Sequence, residues 1–293
     1  MRKIGELEVS EVGLGCNNFG RRVDLEGTRA VVDAAIEAGV TFLDTANSYG
    51  SPAGESENLL GEVLEGRRDQ IVLATKFGWN EGGAPEQVRE SAEASLRRLR
   101  TDVIDLYQYH KPDGRTPIEE TLGALGDLVS EGKVREIGCS NFDAAQVGDD
   151  FVSLQNEYSL LKRGIEADVL PECERRGVAV LPYFPLASGL LTGKYRRGED
   201  APEGTRLHGR DQIADNETWD RLDQLADFCD SRGVEPIDVA VGWLAAQPTI
   251  ASVIAGATKP EQVRRNAEAG RWRPSEEDRE LLDAIFPPAV DLG

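Results

Sequence analysis

The sequence of 293 residues has only four cysteines, and none of them form a short paired motif. Cys16, Cys139, Cys173 and Cys229 lie far apart, without any Cys-x-x-Cys spacing. A disulfide framework or a structural metal site needs grouped cysteines, so we expect neither, and we predict no metal ligands. Reduced thiols are typical of a cytoplasmic protein, which is the location we predict.

Long apolar runs are also missing. The sequence has no stretch of about 18 apolar residues, which is the length that a membrane-spanning helix needs. Residues 1–8 are charged from the second position onward and have no apolar core, so they do not resemble a signal peptide. The sequence therefore predicts no membrane partner.

Basic residues are scarce relative to acidic ones. The chain has 33 Lys and Arg residues against 53 Asp and Glu residues, a formal charge of −20, and only 7 of the basic residues are lysine. Nucleic acid binding needs a basic surface, so no such partner is expected. Acidic excess with little lysine favours a protein from a salt-adapted source, where ions screen its self-repulsion. The alternative is an ordinary acidic cytosolic protein.

The chain alternates between short apolar runs and longer segments of helical periodicity. The apolar runs, which predict strands, are residues 12–15, 42–44, 71–75, 103–109, 136–139, 152–155, 178–183 and 250–255. The helical segments are residues 26–38, 55–64, 85–100, 117–131, 165–176, 236–246 and 260–269. Repeated strand–helix order produces parallel strands joined by crossover helices. Eight such units favour an α/β fold of the (β/α)8 TIM-barrel type, in one domain spanning residues 1–293.

Three segments lie outside this repeat. Residues 1–10 predict a small N-terminal hairpin that turns at Gly5 and Glu6. Residues 187–218 follow the seventh strand as a long polar loop, and loops of this length are usually functional. Residues 274–293 predict a C-terminal helix with a proline-containing tail.

Four polar residues fall where a barrel of this kind builds its active site, at the carboxyl ends of strands. Asp44, Lys76 and His110 end predicted strands, and Tyr49 follows five residues after Asp44. Each alone has an ordinary structural explanation: a helix cap, a surface charge, a scaffold hydrogen bond or loop packing. Their convergence on one rim predicts a shared site.

These side chains suit proton transfer to a carbonyl oxygen. A free Tyr hydroxyl has a pKa of about 10, and a lysine close to Tyr49 favours the phenolate and lowers that pKa. Asp44 would orient the Lys76 ammonium, and a neutral His110 would donate a hydrogen bond to a carbonyl oxygen. Because no protein side chain donates hydride, the pattern implies a nicotinamide cofactor.

With these residues in place, the sequence resembles the aldo-keto reductase family along nearly its whole length. The matching segments, in the family's order, are residues 42–50, 54–61, 74–78, 106–113, 137–142, 154–161, 183–194 and 254–263, with Asn266. Any one of these segments is a weak signal, and together they are highly specific.

The resemblance implies roles for individual residues. It implies a catalytic tetrad of Asp44, Tyr49, Lys76 and His110, with Tyr49 as the general acid in reduction. The residues implied to bind the cofactor are Ser140, Asn141 and Gln155 at the carboxamide, Tyr183 against the ring, Leu186, Ser188, Gly189, Leu191 and Lys194 around the pyrophosphate, and Gly256, Thr258, Lys259, Gln262 and Asn266 toward the adenosine end.

Two further points concern ligand preference. Lys259 suits a 2′-phosphate, which favours NADP(H), with NAD(H) as the alternative. Gly256 and Ala257 depart from the Lys-Ser that many relatives place there for that phosphate. Asn17, Asn18 and Phe19 are candidates to border the nicotinamide or the substrate pocket. Trp79 is a candidate apolar wall of that pocket, although core packing is an equal alternative for Trp79.

The sequence thus predicts an NADP-dependent oxidoreductase that interconverts aldehydes or ketones and alcohols by direct hydride transfer. Its partner would be a small carbonyl or alcohol. Two alternatives stay open. One is a sugar or polyol dehydrogenase that acts mainly in oxidation. The other is a cofactor-binding regulatory subunit with little turnover, because the family includes channel-associated members.

Overall fold

A two-stranded hairpin begins the chain and closes one end of a barrel. In the computed structural model, which describes residues 1–288, β1 (Arg2–Ile4) pairs antiparallel with β2 (Leu7–Val9) around a turn at Gly5. Gly5 has φ +54°, which glycine adopts without strain. Ile4, Leu7 and Val9 are buried against the apolar residues at the amino ends of the barrel strands. The hairpin therefore forms the floor of the barrel.

Eight parallel strands form the barrel wall. They are β3 (Val12–Gly15), β4 (Phe42–Asp44), β5 (Val72–Phe77), β6 (Ile104–Tyr109), β7 (Val134–Ser140), β8 (Ser153–Gln155), β9 (Ala179–Val180) and β10 (Val253–Gly256). Neighbours in sequence are neighbours in the sheet, and β10 pairs with β3. Single bridges from Val180 to Ile250 and from Tyr183 to Ile254 join the two remaining edges. The (β/α)8 prediction is confirmed. Two strands, β3 and β4, have the predicted bounds, and the bounds of the other six differ by up to three residues.

Helices cover the outside of the barrel. They are α1 (Leu25–Glu37), α2 (Glu55–Val63), α3 (Pro85–Leu99), α4 (Ile118–Ser130), α5 (Val169–Arg176), α6 (Asn216–Arg232), α7 (Pro236–Ala245), α8 (Pro260–Ala269) and α9 (Glu276–Ile285). Helix α3 shows why they form: Val88, Ala92, Leu96 and Leu99 recur at helical spacing and are buried. Within residues 1–288, no helix is long and apolar enough to cross a membrane.

The structure corrects the sequence prediction at α6. The predicted loop covered residues 187–218, and no helix was predicted between that loop and residue 236, whereas α6 begins at Asn216. The side chain of Asp215 caps it by accepting a hydrogen bond from the Thr218 backbone N–H. Trp219, Leu225 and Phe228 are buried, but acidic residues separate them and weaken the apolar periodicity. The long connection after β9 is therefore shorter than predicted.

Two smaller outcomes concern the segment before β9 and the C-terminus. The helix predicted over 165–176 is a short 3-10 turn, Gly164–Glu166, followed by α5, because the Asp168 side chain caps α5 by accepting from the Val169 backbone N–H. The predicted C-terminal helix is present as α9. Residues 289–293 of the predicted tail lie outside the described residues.

Candidate active site

Most of the predicted site residues line one cavity at the carboxyl ends of the barrel strands. Its volume is about 1210 Å³. The predicted residues that line it are Asp44, Tyr49, Trp79, His110, Ser140, Asn141, Gln155, Tyr183, Leu186, Ser188, Gly189, Lys194, Gly256, Thr258, Lys259, Gln262 and Asn266. Lys76 is 1% exposed and lies just beneath this lining, against Asp44.

Phe19 and Leu191 are placed differently from their prediction. Both side chains are fully buried in the main hydrophobic core and do not line the cavity. A turn in which the Phe19 N–H donates to the Cys16 carbonyl directs the ring inward. The neighbouring residues Asn17 and Asn18 line the cavity instead.

A buried ion pair lies beneath Tyr49. The Lys76 Nζ donates to Asp44 Oδ2 over 2.6 Å and to the Thr45 carbonyl over 2.9 Å. It also lies 5.2 Å from the centre of the Tyr49 ring. The short strand β4 places Asp44, and β5 beside it places Lys76. The geometry holds an ammonium group against the phenol.

The pKa of Tyr49 reflects two opposing effects. Burial raises the pKa of the phenol, and Lys76 lowers it, with burial the larger effect, so the pKa is above its usual value. The contribution of Lys76 has the predicted sign, but the net shift is opposite to the lowering expected from the sequence. Burial also opposes the charge of Lys76, yet Asp44 and Tyr49 together raise the pKa of that ammonium. Tyr49 is therefore a protonated donor at neutral pH.

His110 is held in its neutral form beside Tyr49. Burial, assisted by the charge of Lys76, lowers the pKa of His110 to about 3. The rings of Tyr49 and His110 meet edge to face at 5.8 Å. His110 Nδ1 is buried without a partner, which leaves Nε2 as the ring nitrogen toward the cavity. This arrangement presents a neutral imidazole next to the phenol.

The depressed pKa of His110 makes protein stability pH-dependent. An unfolded chain takes up the His110 proton near pH 6.5, whereas the folded chain takes it up only near pH 3. Between these values the unfolded state binds more protons, so stability falls as the pH falls. We expect His110→Gln to gain about 2 kcal/mol of stability relative to the unchanged protein between pH 8 and pH 5. Urea unfolding at the two pH values measures this, and a stability difference independent of pH would contradict it.

The residues predicted at the carboxamide contact one another. The Ser140 hydroxyl donates to the Gln155 carbonyl over 2.7 Å. Asn141, at the left-handed φ of +60°, donates from Nδ2 to the His110 carbonyl over 2.9 Å and accepts from the Tyr183 hydroxyl over 2.9 Å. These bonds join the ends of β6, β7 and β8 to Tyr183, so the polar groups and the Tyr183 ring occupy one fixed corner of the cavity.

A cationic wall that the sequence prediction missed lines the same cavity. Arg206, from the long connection, is half-buried with its guanidinium 5.0 Å from the centre of the Phe184 ring. Burial, Arg22 and Arg21 lower the pKa of Arg206, and no carboxylate among residues 1–288 pairs with it. Arg206 and Arg22 both line the cavity. No sequence periodicity marks Arg206, because its position depends on how the long connection folds.

At the opposite end, helix α8 begins beside the cavity. The Gln262 side chain accepts from the Thr258 backbone N–H over 2.7 Å and from its hydroxyl over 3.2 Å. Arg265 also lines the cavity, but Glu235 and Asp238 pair with it. Lys259 is the N-cap residue of α8, and no carboxylate among the described residues forms an ion pair with it. Among residues 1–288, Lys259 is therefore a cation at this end that no carboxylate engages.

Trp79 lines the cavity beside His110. Its side chain is 49% exposed, and its ring lies 4.7 Å from that of His110. Glu81 fixes the loop by accepting from the backbone N–H groups of Gly78 and Asn80, and it accepts from the Asn47 side chain. Trp79 is thus an aromatic wall next to His110. Within residues 1–288, no group of three acidic, His or Cys side chains is arranged to hold a metal ion.

The fold and the site together define a barrel oxidoreductase. A model of the aldo/keto reductase family matches residues 11–286. The aldo-keto reductase YhdN of Bacillus subtilis is 35% identical over 97% of this chain and 92% of its own length. The NADH-specific methylglyoxal reductase of Escherichia coli is 33% identical over 96% of this chain and 97% of its own. The chain belongs to the aldo/keto reductase family.

A solved structure shares the fold. The aldo/keto reductase from Klebsiella pneumoniae, in complex with NADP and acetate, superimposes with a TM-score of 0.77 at 30% identity, covering 96% of this chain and 93% of that one. The chain is accordingly an oxidoreductase of carbonyl compounds.

Proposed function

We propose that this chain is an NADP-dependent enzyme that interconverts aldehydes or ketones and alcohols, with Asp44, Tyr49, Lys76 and His110 as its catalytic residues. One observation carries the proposal. A protonated phenol and a neutral imidazole meet at 5.8 Å above a buried Lys76–Asp44 pair, at the floor of a cavity. Such a set can bind a carbonyl oxygen and deliver a proton to it.

Each residue has a distinct task in this proposal. His110, with Nδ1 unpartnered, carries its proton on Nε2 and donates a hydrogen bond to the substrate carbonyl oxygen. Tyr49 donates its hydroxyl proton to the same oxygen as the alcohol forms. Lys76 stabilises the resulting phenolate, and Asp44 holds Lys76 and balances its charge. In oxidation, the Tyr49 phenolate takes the proton back.

The residues that line the rest of the cavity fit a nicotinamide dinucleotide. Ser140, Asn141 and Gln155 offer polar groups in one corner, and Tyr183 offers a ring face beside them. Arg22, Arg206 and Lys194 offer cations to a pyrophosphate; the remaining predicted phosphate and adenosine contacts lie between Leu186 and Asn266. When bound, this cofactor supplies the hydride that the protein itself lacks.

NADP(H) is the cofactor we propose, with NAD(H) as the alternative. Lys259 is an unpaired cation at the adenosine end, which suits a 2′-phosphate. Gly256 offers no charge there, and the carboxylates of Glu235 and Asp238 engage Arg265. Both preferences exist among the relatives, since one similar structure contains NADP and another relative is NADH-specific.

A single screen tests the proposed function. Purified protein in concentrated KCl is mixed with NADPH or NADH and a panel of aldehydes, ketones and sugars, and absorbance of the reduced nicotinamide is followed. We expect NADPH oxidation with small aldehydes or ketones. Cofactor binding without turnover on any substrate would refute it, and faster alcohol or sugar oxidation than carbonyl reduction would favour a dehydrogenase.

We also propose a salt-adapted source, a cytoplasmic location, one domain over the whole chain, and no nucleic acid or membrane partner. The formal charge of −20 supports the first and the last of these. The four cysteines are free and buried, which suits a reducing compartment. A small carbonyl or alcohol remains the expected partner.

Cofactor affinity should depend on salt in an unusual direction. An anionic cofactor approaches a protein of charge −20, and added ions screen that repulsion. We expect the Kd for NADPH to fall about threefold from low to high KCl. Fluorescence titration of NADPH measures this. A steady loss of affinity with added KCl would count against the proposal.

Arg206→Met provides the matched comparison for that titration. The variant removes an unpaired cation from the cavity wall without touching the residues around Tyr49. We expect a weaker cofactor Kd at every salt concentration, with the same direction of salt dependence. An unchanged Kd would remove Arg206 from the proposed cofactor contacts.

A further inference from the structure

We propose that Gln108 is a positioning residue that fixes both the Asp44 carboxylate and the Gln155 amide. This inference rests on the proposed function. Gln108 is fully buried inside the barrel on β6, directly opposite Lys76 of β5 in the sheet register. It does not line the cavity, so it is not proposed to touch substrate or cofactor.

Asp44 accepts hydrogen bonds on both of its carboxylate oxygens. Lys76 occupies Oδ2, while the Nε2 atoms of Gln108 and Gln155 each donate to Oδ1 over 3.0 Å. Asp44 is 2% exposed, and an ionised carboxylate so deeply buried needs donors on both oxygens. The two glutamines therefore satisfy Oδ1 and fix Asp44 in the orientation in which Oδ2 meets Lys76.

The direction of the Gln155 amide is fixed by the same carboxylate. A carboxylate only accepts hydrogen bonds, so Gln155 must turn its NH2 group toward Asp44. The same Nε2 lies 3.4 Å from Gln108 Oε1, which accepts the other N–H. Both donors of Gln155 are then used, and Oε1 is the atom left for the cavity that Gln155 lines. By fixing this amide, Gln108 makes Gln155 present its Oε1 as an acceptor toward the proposed carboxamide position.

The backbone leaves room for this arrangement. Strand β7 lies between β6 and β8 and carries Gly138 at this level, paired in register with Gln108 on one side and Ser153 on the other. A Cβ at Gly138 would lie 2.4 Å from Ser153 Oγ and 3.2 Å from Gln108 Cγ. Absence of a side chain at Gly138 lets the Gln108 side chain take the position from which it reaches Asp44 and Gln155.

Gln108→Met tests the effects on Asp44 and on Gln155, because methionine has similar length and no hydrogen-bonding amide. We expect kcat to fall about 10- to 100-fold as Lys76 and Tyr49 lose alignment. We expect the Kd for NADPH, measured by fluorescence, to rise about fivefold because the Gln155 amide is no longer fixed. The Kd is measured without turnover, so it decides the point about Gln155 even if no carbonyl substrate is found.

The pH dependence of activity in Gln108→Glu distinguishes a positioning role of Gln108 from a purely structural one. The introduced carboxyl group, while protonated, donates to Asp44; once ionised, it repels it. Activity should stay within about threefold of the unchanged protein near pH 5.5 and fall at least about tenfold by pH 8.5. Gln108→Met should be impaired at both pH values.

The titratable groups that face Asp44 should not themselves cause a fall in activity between pH 5.5 and pH 8.5. Lys76 and Tyr49 have pKa values raised above their usual ones, and burial raises that of the Cys16 thiol beside β4. The pKa of His110 is about 3. A new inflection between pH 5.5 and 8.5 in the glutamate variant thus belongs to the introduced group.

Tyr107→Phe is the matched control. Tyr107 is the neighbouring residue on β6, equally buried, and its hydroxyl has no hydrogen-bond partner. It should keep kcat and Kd within about twofold of the unchanged protein. Thermal unfolding of all variants separates misfolding from misalignment. If the methionine variant is unfolded, the change in activity of the glutamate variant between pH 5.5 and pH 8.5 decides the outcome. Values of kcat and Kd within twofold for Gln108→Met, or a flat pH profile for Gln108→Glu, would overturn the proposal.

Discussion

Tyr49→Phe is expected to lower kcat for carbonyl reduction by at least about 1000-fold, while leaving the Kd for NADPH within about twofold. The variant loses only the hydroxyl that we propose as the proton donor. Its ring can keep the contact with Lys76, whose Nζ lies 5.2 Å from the ring centre. This variant should therefore keep its affinity for NADPH and lose the chemical step.

Two measurements decide the outcome for Tyr49→Phe. Single-turnover reduction gives the chemical step free from product release, and fluorescence titration gives the Kd. Tyr107→Phe, which removes a buried hydroxyl outside the cavity, is again the control. Turnover close to that of the unchanged protein would end the proposed mechanism, because another group would then have to supply the proton.

Lys76→Met is expected to have the second largest effect, on stability as well as on activity. The substitution leaves the buried Asp44 carboxylate without its cation, and among the described side chains only Gln108 and Gln155 still donate to it. Breaking a buried ion pair by removing one partner costs about 3–5 kcal/mol. Activity should fall at least about 1000-fold, because the Tyr49 phenolate would form without a nearby cation.

A second substitution separates the loss of stability from the loss of activity. Asp44→Asn, added to Lys76→Met, removes the uncompensated charge, so more than half of the lost stability should return. Activity should not return, because neither the ammonium nor its orienting carboxylate is present. Urea unfolding and kcat of the single and double variants measure both effects. A Lys76→Met protein as stable as the original would show that the pair contributes little to the fold.

The sequence predicted site residues best where a polar residue ends a short apolar run, because the fold places such a residue at the carboxyl end of a strand. Asp44 and His110 could be placed on one rim because each follows a short apolar run, and parallel strands end at the same edge of a barrel. The proton-transfer chemistry then followed from residue types alone. The net pKa direction of Tyr49 did not, because it depends on burial, which the sequence does not report.

Other features depend on tertiary contacts that leave no local signal. Gln108 lies in an apolar strand sequence, and only the packed barrel shows that it reaches Asp44 on β4, two strands away. Arg206 lies on an irregular connection whose path to Phe184 no periodicity encodes. Phe19 was placed at the pocket from its position after β3, but a single turn decides which side of the rim its ring takes.

The N-terminal hairpin has a consequence for ligand access. Because Ile4, Leu7 and Val9 cover the amino end of the barrel, the cavity formed by the described residues opens at the carboxyl end, and ligands would enter and leave on that side. A dinucleotide and a small carbonyl compound would therefore share one route to the residues around Tyr49. Binding or release of either ligand would then affect the access of the other.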